Sequence, residues 1–457
     1  MAQKPTFDYD VIVIGSGAGG SPAASILSSS GKKVSVIERA SFGGESPNSG
    51  DIPTGAMIHV ASIYHSAKTA SKFGLRTSST GYNYPSLLSW RHNTIKRTGV
   101  SGNRYYYEKQ GISAFSGNAH FLSPNEITVN RRHLSARKFL IATGSDWQVP
   151  NIDGLESISY FTPKTIFKLT RPPKTLLIIG SNIEALELSH VFSSFGTKVY
   201  IIESTNQILS EFDKEVSDLI GNDAKKSRGI NILTKTKIMS IQKSGLQKRI
   251  SFLQSGREHS LKIDEILLAD SRIPNTDLGL ENAGVKYNQR GIIVDSHLQT
   301  SMRHIFAAGS VLDANSQTHE VLATSQVAAH NLLRRNQIEM NYSPRLRVAF
   351  TQPEIAQIGL NEKICIKRGL KFNSATAPLS LVSRSNITDI QTGLVKLLSN
   401  QKGVLIGGTI IADHASDIAA ELTLAIRHKI TAKQLAETPH CFTSWSEAVR
   451  IAAGKLL

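Results

Sequence analysis

Two glycine-bearing turns, each followed by an acid, are the places where this chain could do chemistry. The first is Gly15-Ser16-Gly17-Ala18-Gly19-Gly20, reached from the apolar run 11–14 and followed by Glu38. Gly15 suits a tight turn, Gly17 leaves the backbone open to a pyrophosphate, and Gly20 lets the next helix sit close to its strands. A helix start offers free N–H groups and the positive end of its dipole to phosphate oxygens. A carboxylate at Glu38 stands where ribose hydroxyls would be bound. The pattern predicts a dinucleotide site.

The second turn lies in an internal repeat. Residues 175–204, TLLIIGSNIEALELSHVFSSFGTKVYIIES, align with the first unit at a constant offset. Gly180 matches Gly15, Ser194 matches Ser29, Gly196 matches Gly31 and Glu203 matches Glu38. Asn182 replaces the middle glycine and Ala185 the last. Ala is tolerated at the last position, whereas Asn182 adds a side chain where the pyrophosphate should approach. Two such folds imply two nucleotides, or one nucleotide and a relic.

The elements that must position these turns are legible in outline. Strands at 11–14 and 34–37 flank a small-residue helix, giving a strand-helix-strand unit with a parallel pair. Residues 82–109 read as basic helix, 114–129 as short strands, and 139–141 as a buried strand ending in Ala142-Thr143-Gly144. After the repeat, 230–252 alternates like paired strands, and 304–308 is a strand ending in Gly309-Ser310. From about residue 344 the pattern becomes α+β. Strands at 347–351, 394–399 and 404–411 precede helices at 416–428 and 431–437. Ile418, Leu422 and Ile426 give the first of these helices an apolar face beyond what one small sheet needs, which predicts a two-fold dimer through this region.

Composition narrows the class. The 457 residues suggest roughly three domains. With charged residues at 19% and hydrophobic ones at 40%, the chain has enough apolar content for packed cores. No apolar run reaches spanning length, and the first ten residues lack the apolar centre of a signal peptide. Two distant cysteines, Cys365 and Cys441, exclude a disulfide scaffold and zinc spacing, so a cytoplasmic location is expected. The net charge of +16 is spread over short clusters such as Arg131-Arg132 and Lys225-Lys226 without a nucleic-acid motif. Solvated faces account for it; attraction of an anionic partner is the competing reading.

The chain resembles the pyridine nucleotide–disulfide oxidoreductases along essentially its whole length. The resemblance rests on GSGAGG with Glu38, the stretch FGGESPNSGDIPTGAM, IATG at 141–144, the second turn, RIPN at 272–275, IFAAGS at 305–310 and VAFTQPEIAQIGL at 348–360. It implies an α/β protein with two Rossmann-like domains and a C-terminal α+β dimerisation domain. The implied division is 1–150 and 276–343 for the two parts of an FAD domain, 151–275 for an NAD(P) domain and 344–457 for dimerisation. FAD would be held by Gly15, Gly17, Gly20, Glu38, Gly44, Thr143, Gly144, Gly309 and Ser310, and NADH by Gly180, Asn182, Ala185 and Glu203. A homodimer and a small-molecule electron acceptor are the implied partners.

The implied chemistry departs from the family pattern. Ser46 and Asp51 stand where the family has its redox cysteines, and neither can hold two electrons as a disulfide. Gly55 stands where the family has a lysine, so Glu187 loses the partner the family gives it. Phe442 stands at the catalytic histidine, Glu447 is retained, and Ser310 replaces the aspartate that holds the ribityl chain. Asp51 also reads as a helix N-cap, a role compatible with a carboxylate beside the flavin. Cys441 is expected to be buried and inert, and no metal site is expected. The leading reading is an FAD-dependent NAD(P)H oxidoreductase that passes electrons directly to a quinone-like acceptor, oxygen or a metal ion. A non-catalytic dimeric FAD-binding protein is the alternative.

Overall fold

A computed structural model describes residues 6–77 and 80–457. By internal contacts the chain forms two compact units. One comprises Met1–Ala56, Ser86–Val149 and Ser271–Asn341, the other Met57–Pro85, Pro150–Asp270 and Tyr342–Leu457.

The first unit is built on a seven-stranded sheet. Its strands run in the order Ser113–Ser116, Val34–Glu38, Tyr9–Ile14, Arg132–Ile141, Glu126–Val129 and Ala119–Ser123, with Ile305–Ala307 also pairing along Arg132–Ile141. Val34–Glu38, Tyr9–Ile14, the end of Arg132–Ile141 and Ile305–Ala307 are parallel, in a register that aligns Ile14 with Ile37 and Ile141, and Ile141 with Ala307. Alternation along Tyr9–Ile14 divides two cores. Val11 and Val13 pack with Ala23, Ala24 and Leu27 of helix Ser21–Ser29, while Ile12 and Ile14 pack with Phe121 and Phe139. A strand buried on both faces must be apolar at every position, which is why 11–14 reads as a continuous run. The strand ends carry Gly15, Glu38, Ala142-Thr143-Gly144 and Ala308-Gly309 to one edge of the sheet, the edge where open α/β sheets bind ligands.

The second unit holds three sheets. A parallel one runs Asn231–Leu233, Lys198–Ile202, Thr175–Ile179, Glu265–Leu268. A three-stranded antiparallel one is made by Thr236–Ser244, Gln247–Gln254 and Arg257–Ile263. The C-terminal sheet has five antiparallel strands in the order Leu346–Ala349, Glu354–Gly359, Leu405–Ala412, Leu394–Ser399, Asn373–Pro378.

Three expectations change. The basic stretch 82–109 is two helices, Tyr84–Arg97 and Arg104–Glu108. Gly99 and Gly102, both at positive φ, lie between them, and Asn103 caps the second through Tyr106 N. Strand Arg272–Pro274 pairs with Ser145–Trp147 of the first unit rather than continuing the second. Finally, the apolar face of helix Ala415–Arg427 is consumed at home. Leu422 is buried, and Ile418 and Ile426 pack beside it against Val348, Ala356, Ile358 and Ile410 of the five-stranded sheet. That sheet includes two strands, Glu354–Gly359 and Asn373–Pro378, that the sequence reading lacked, so the helix has more surface to cover.

Candidate functional site

The first glycine turn is a close-packed cradle. Gly15 adopts φ +103°, and a Cβ there would lie 2.2 Å from the Ala142 carbonyl oxygen. Gly44 has φ +71°, and a Cβ on it would lie 2.4 Å from Gly17 Cα. The turn Phe42–Gly44 is therefore laid directly on the phosphate turn, and only glycine permits it. Gly17 itself keeps open space: a Cβ there would meet nothing nearer than Gly44 Cα at 3.7 Å.

Ser16 ties the cradle together, although the sequence reading passed over it. Glu38, at 8% exposure, accepts hydrogen bonds at Oε2 from Ser16 N (3.0 Å) and Ser16 Oγ (2.6 Å), and at Oε1 from Ala40 N (2.8 Å). Ser16 Oγ in turn accepts from Gly43 N (3.1 Å). One serine thus fixes the acid at the strand end and the turn that carries Gly44. Thr143 and Gly144 are held by Asn275, whose side-chain amide donates to Thr143 O (2.9 Å) and whose N–H donates to Gly144 O (2.9 Å). Gly309 N donates to Thr324 Oγ1 (2.9 Å), and Ser310 follows half-buried in a single helical turn. All nine residues expected to hold FAD lie in the first unit, on one sheet edge or the turns that follow it.

The second turn repeats this device. Gly180 has φ +102°, and its Cβ would lie 2.4 Å from Asp270 Cα. Ser181 Oγ donates to Glu203 Oε2 (2.5 Å), and Thr205 N donates to Glu203 Oε1 (2.8 Å). Ser181 and Thr205 occupy the places of Ser16 and Ala40, so the repeat extends to individual hydrogen bonds. Asn182 sits at φ −73°, a conformation open to any residue, and caps its own helix: Oδ1 accepts from Ala185 N (2.9 Å) and Nδ2 donates to Asp270 O (3.2 Å). The side chain thus occupies one free N–H at the start of its helix.

The residues that the resemblance sets against the family's redox groups fall in both units. Ser46 is half-buried in the short helix Glu45–Asn48. Glu45 beside it pairs with Arg272 (2.5 Å), whose guanidinium lies 4.7 Å from the Trp147 ring centroid. Asp51 is the first residue of helix Asp51–Thr69, and its Oδ2 accepts from Thr318 Oγ1 (2.6 Å). Gly55 is exposed, and a Cβ there would meet nothing within 4 Å. In the second unit, Glu187 does not lack a partner: its Oε1 accepts from Phe350 N (2.8 Å), a backbone donor replacing a side chain. Phe442 is 70% exposed. Glu447 keeps one oxygen 3.7 Å from Arg450, while its Oε2 is buried without a hydrogen-bond partner. Neither cysteine forms a disulfide, and Cys441 is exposed rather than buried because its segment lies over the surface beside Phe442. Burial pushes the Cys365 thiol up, with Asp213 adding to the shift.

The sequence profile described as pyridine nucleotide-disulphide oxidoreductase matches residues 9–331, and that family's dimerisation domain matches residues 346–453. The chain belongs to this family of FAD-dependent oxidoreductases. Within it, the chain is 30% identical over 451 residues to a mercuric reductase of Staphylococcus aureus, covering 98% of this chain and 82% of that protein. It is 33% identical over 462 residues to a dihydrolipoyl dehydrogenase of Thermus scotoductus, covering 98% and 97%. In fold it is similar to the HOCl-induced flavoprotein disulfide reductase RclA of Escherichia coli in its Cu(II) complex, with a TM-score of 0.88 and 21% identity over 99% of this chain and 100% of that one. The family's cofactors are FAD and NAD(P)H, and the dimerisation-domain match supports a homodimer. The first cradle fits FAD by its own geometry: a glycine-lined approach at Gly17 and a buried acid fixed at the strand end. Among the described residues no helix is long and apolar enough to cross a membrane.

Proposed function

We propose that this family member uses NADH to reduce a small acceptor through FAD, with no redox disulfide in between. The observation that carries the reading is the pair Ser46 and Asp51. In the family's redox stretch the first carries a hydroxyl and the second a carboxylate, and the chain's two cysteines, Cys365 and Cys441, both fall in the other unit. A hydroxyl and a carboxylate cannot interconvert with a disulfide. FAD held at the first cradle supplies the two-electron chemistry between nicotinamide and acceptor. The protein's residues bind and orient: the turn at Gly15–Gly20 for the pyrophosphate, Glu38 for ribose, and Thr143, Gly144, Gly309 and Ser310 for the remainder. Glu203 would accept both hydroxyls of an NADH ribose and repel a 2′-phosphate. Phe442 offers no proton, so acceptors that need a general acid at that position are disfavoured. A quinone, oxygen or a metal ion needs none.

Anaerobic dithionite titration tests this. The reading expects two electrons per FAD and no long-wavelength thiolate band, with NADH oxidation supported by quinones or metal ions but not by lipoamide or glutathione disulfide. Uptake of four electrons, or turnover of a disulfide substrate, would overturn it.

A further inference from the structure

The second unit contains a buried cationic cluster that the proposed reaction does not use. His190, on helix Ile183–Ser194, is 6% exposed. Its Nδ1 accepts a hydrogen bond from Gln352 N (3.2 Å), so the ring proton of the neutral imidazole sits on Nε2. That Nε2 is buried and has no hydrogen-bond partner. Burial, reinforced by Arg228 and His65, holds the His190 pKa well below the usual histidine range, so the ring is a neutral donor at physiological pH.

Arg228 ends helix Lys214–Arg228 beside it. Its Nη1 donates to Ser194 Oγ (2.9 Å) and its Nη2 to Gln352 Oε1 (2.7 Å), while its Nε is buried without a partner. Gln352 touches both side chains, through N to the His190 ring and through Oε1 to the guanidinium, and Ser194 Oγ links the guanidinium to the His190 main chain by donating to His190 O (2.8 Å). The two unpartnered N–H groups thus belong to side chains that share Gln352. Both partners of the guanidinium are neutral, and among the described residues it forms no ion pair. Burial lowers its pKa to about 10 even with Asp223 acting against the shift. Lys68, on helix Asp51–Thr69, adds to the positive field through a 3.5 Å contact with Ser194 O, and burial together with Arg228 and Lys68 holds the neighbouring His65 below the usual histidine range.

A buried guanidinium with no carboxylate in ion-pair contact, and a buried imidazole N–H without an acceptor, form a costly arrangement that one bound anion would relieve at both groups. Water would satisfy the donors but would add no charge to that of Asp223. We infer that His190 Nε2 and Arg228 Nε form a binding site for a small monovalent inorganic anion of the chloride class. The exposed Lys68, 3.5 Å from Ser194 O, supplies a solvent-facing cation close by.

The test uses the holoprotein and chloride itself, at constant ionic strength with gluconate as the replacing anion. Chloride should raise the melting temperature along a saturating curve, since a ligand bound only by the folded state stabilises by mass action. Arg228→Gln and His190→Phe should each flatten that curve, while Lys68→Ala should shift its midpoint to higher chloride. Because the first two variants could lose stability outright, bromide-soaked wild-type crystals provide an independent reading. Anomalous density between His190 and Arg228 is expected. A chloride response equal to that of gluconate, or a water in place of bromide, would overturn the proposal.

Discussion

Gly17→Ala and Gly20→Ala differ by one methyl group each, yet the cradle predicts opposite failures for them. At Gly17 the new methyl would meet only Gly44 Cα, at 3.7 Å, an ordinary van der Waals contact. The apoprotein should therefore keep its stability to within ~0.5 kcal/mol, the scale of a substitution that disturbs no packing. The same methyl points into the space the pyrophosphate needs. Displacing one charge-assisted backbone hydrogen bond is worth about 1.5–3 kcal/mol, or roughly 10- to 150-fold in FAD affinity. At Gly20 the methyl would sit 2.0 Å from the Gly15 carbonyl oxygen and 3.0 Å from Val13 Cγ1. Helix Ser21–Ser29 must then move off its strand, at about 1–3 kcal/mol for overpacking. Denaturant unfolding of both apoproteins, with FAD titration by fluorescence quenching, separates the two effects. The reasoning fails if Gly17→Ala binds FAD like wild type, or if Gly20→Ala loses no stability.

Gly55→Lys should fold normally, since a Cβ there meets nothing within 4 Å and removing a helical glycine gains about 0.5–1 kcal/mol. At the position the resemblance gives to the family's lysine, the added cation should raise the FAD reduction potential, which a redox-dye equilibration would read. Asn182→Gly should cost only a few tenths of a kcal/mol as a lost cap. Freeing Ala185 N–H should then tighten NADH binding by roughly tenfold, one charge-assisted hydrogen bond, as measured by calorimetry. Lys396 is 3% exposed among Asp213, Glu215 and Glu362, with Nζ at 3.4, 2.9 and 2.8 Å. Lys396→Met should cost about 3–5 kcal/mol by leaving the carboxylates without their cation. Burial pushes the Glu362 pKa up, but hydrogen bonds from Lys396 and Ser374 and the Lys396 charge leave it net lowered. Its contribution is present above the ordinary glutamate range and lost as pH falls through the folded value. Chemical denaturation below pH ~4 should therefore narrow the gap between wild type and the Met variant.

Both nucleotide folds were legible because each rests on local geometry that only a few residue types satisfy: Gly15 and Gly180 at positive φ, and an acid at each strand end. The hydrogen bonds of the serines are not written in residue type alone, although the Gly-Ser pair shared by the repeat, Gly15-Ser16 and Gly180-Ser181, marks both positions. The antiparallel strands Glu354–Gly359 and Asn373–Pro378 were missed for a physical reason. In Glu354–Gly359 the buried Gln357, bonded to Thr409 across the sheet (2.7 Å), puts a polar residue in a core strand, and Asn373–Pro378 is an edge strand with Asn373, Ser374 and Pro378 exposed. That error created the surplus apolar face on helix Ala415–Arg427. The partner of Glu187 could not be read at all. A backbone donor such as Phe350 N leaves no trace in residue identity, and only the fold brings it within reach.

The serine that clasps each strand-end acid makes cofactor preference a property of two residues rather than one. Replacing Glu203 alone with a cation, the obvious route toward a 2′-phosphate, would leave the Ser181 hydroxyl and the Thr205 N–H facing a positive group instead of the carboxylate they now bind. The turn would lose its fastening in the same stroke that changes its charge. An engineered switch of coenzyme in this chain is therefore a coupled change at 181 and 203. The single substitution should be trapped in a state that binds neither dinucleotide well.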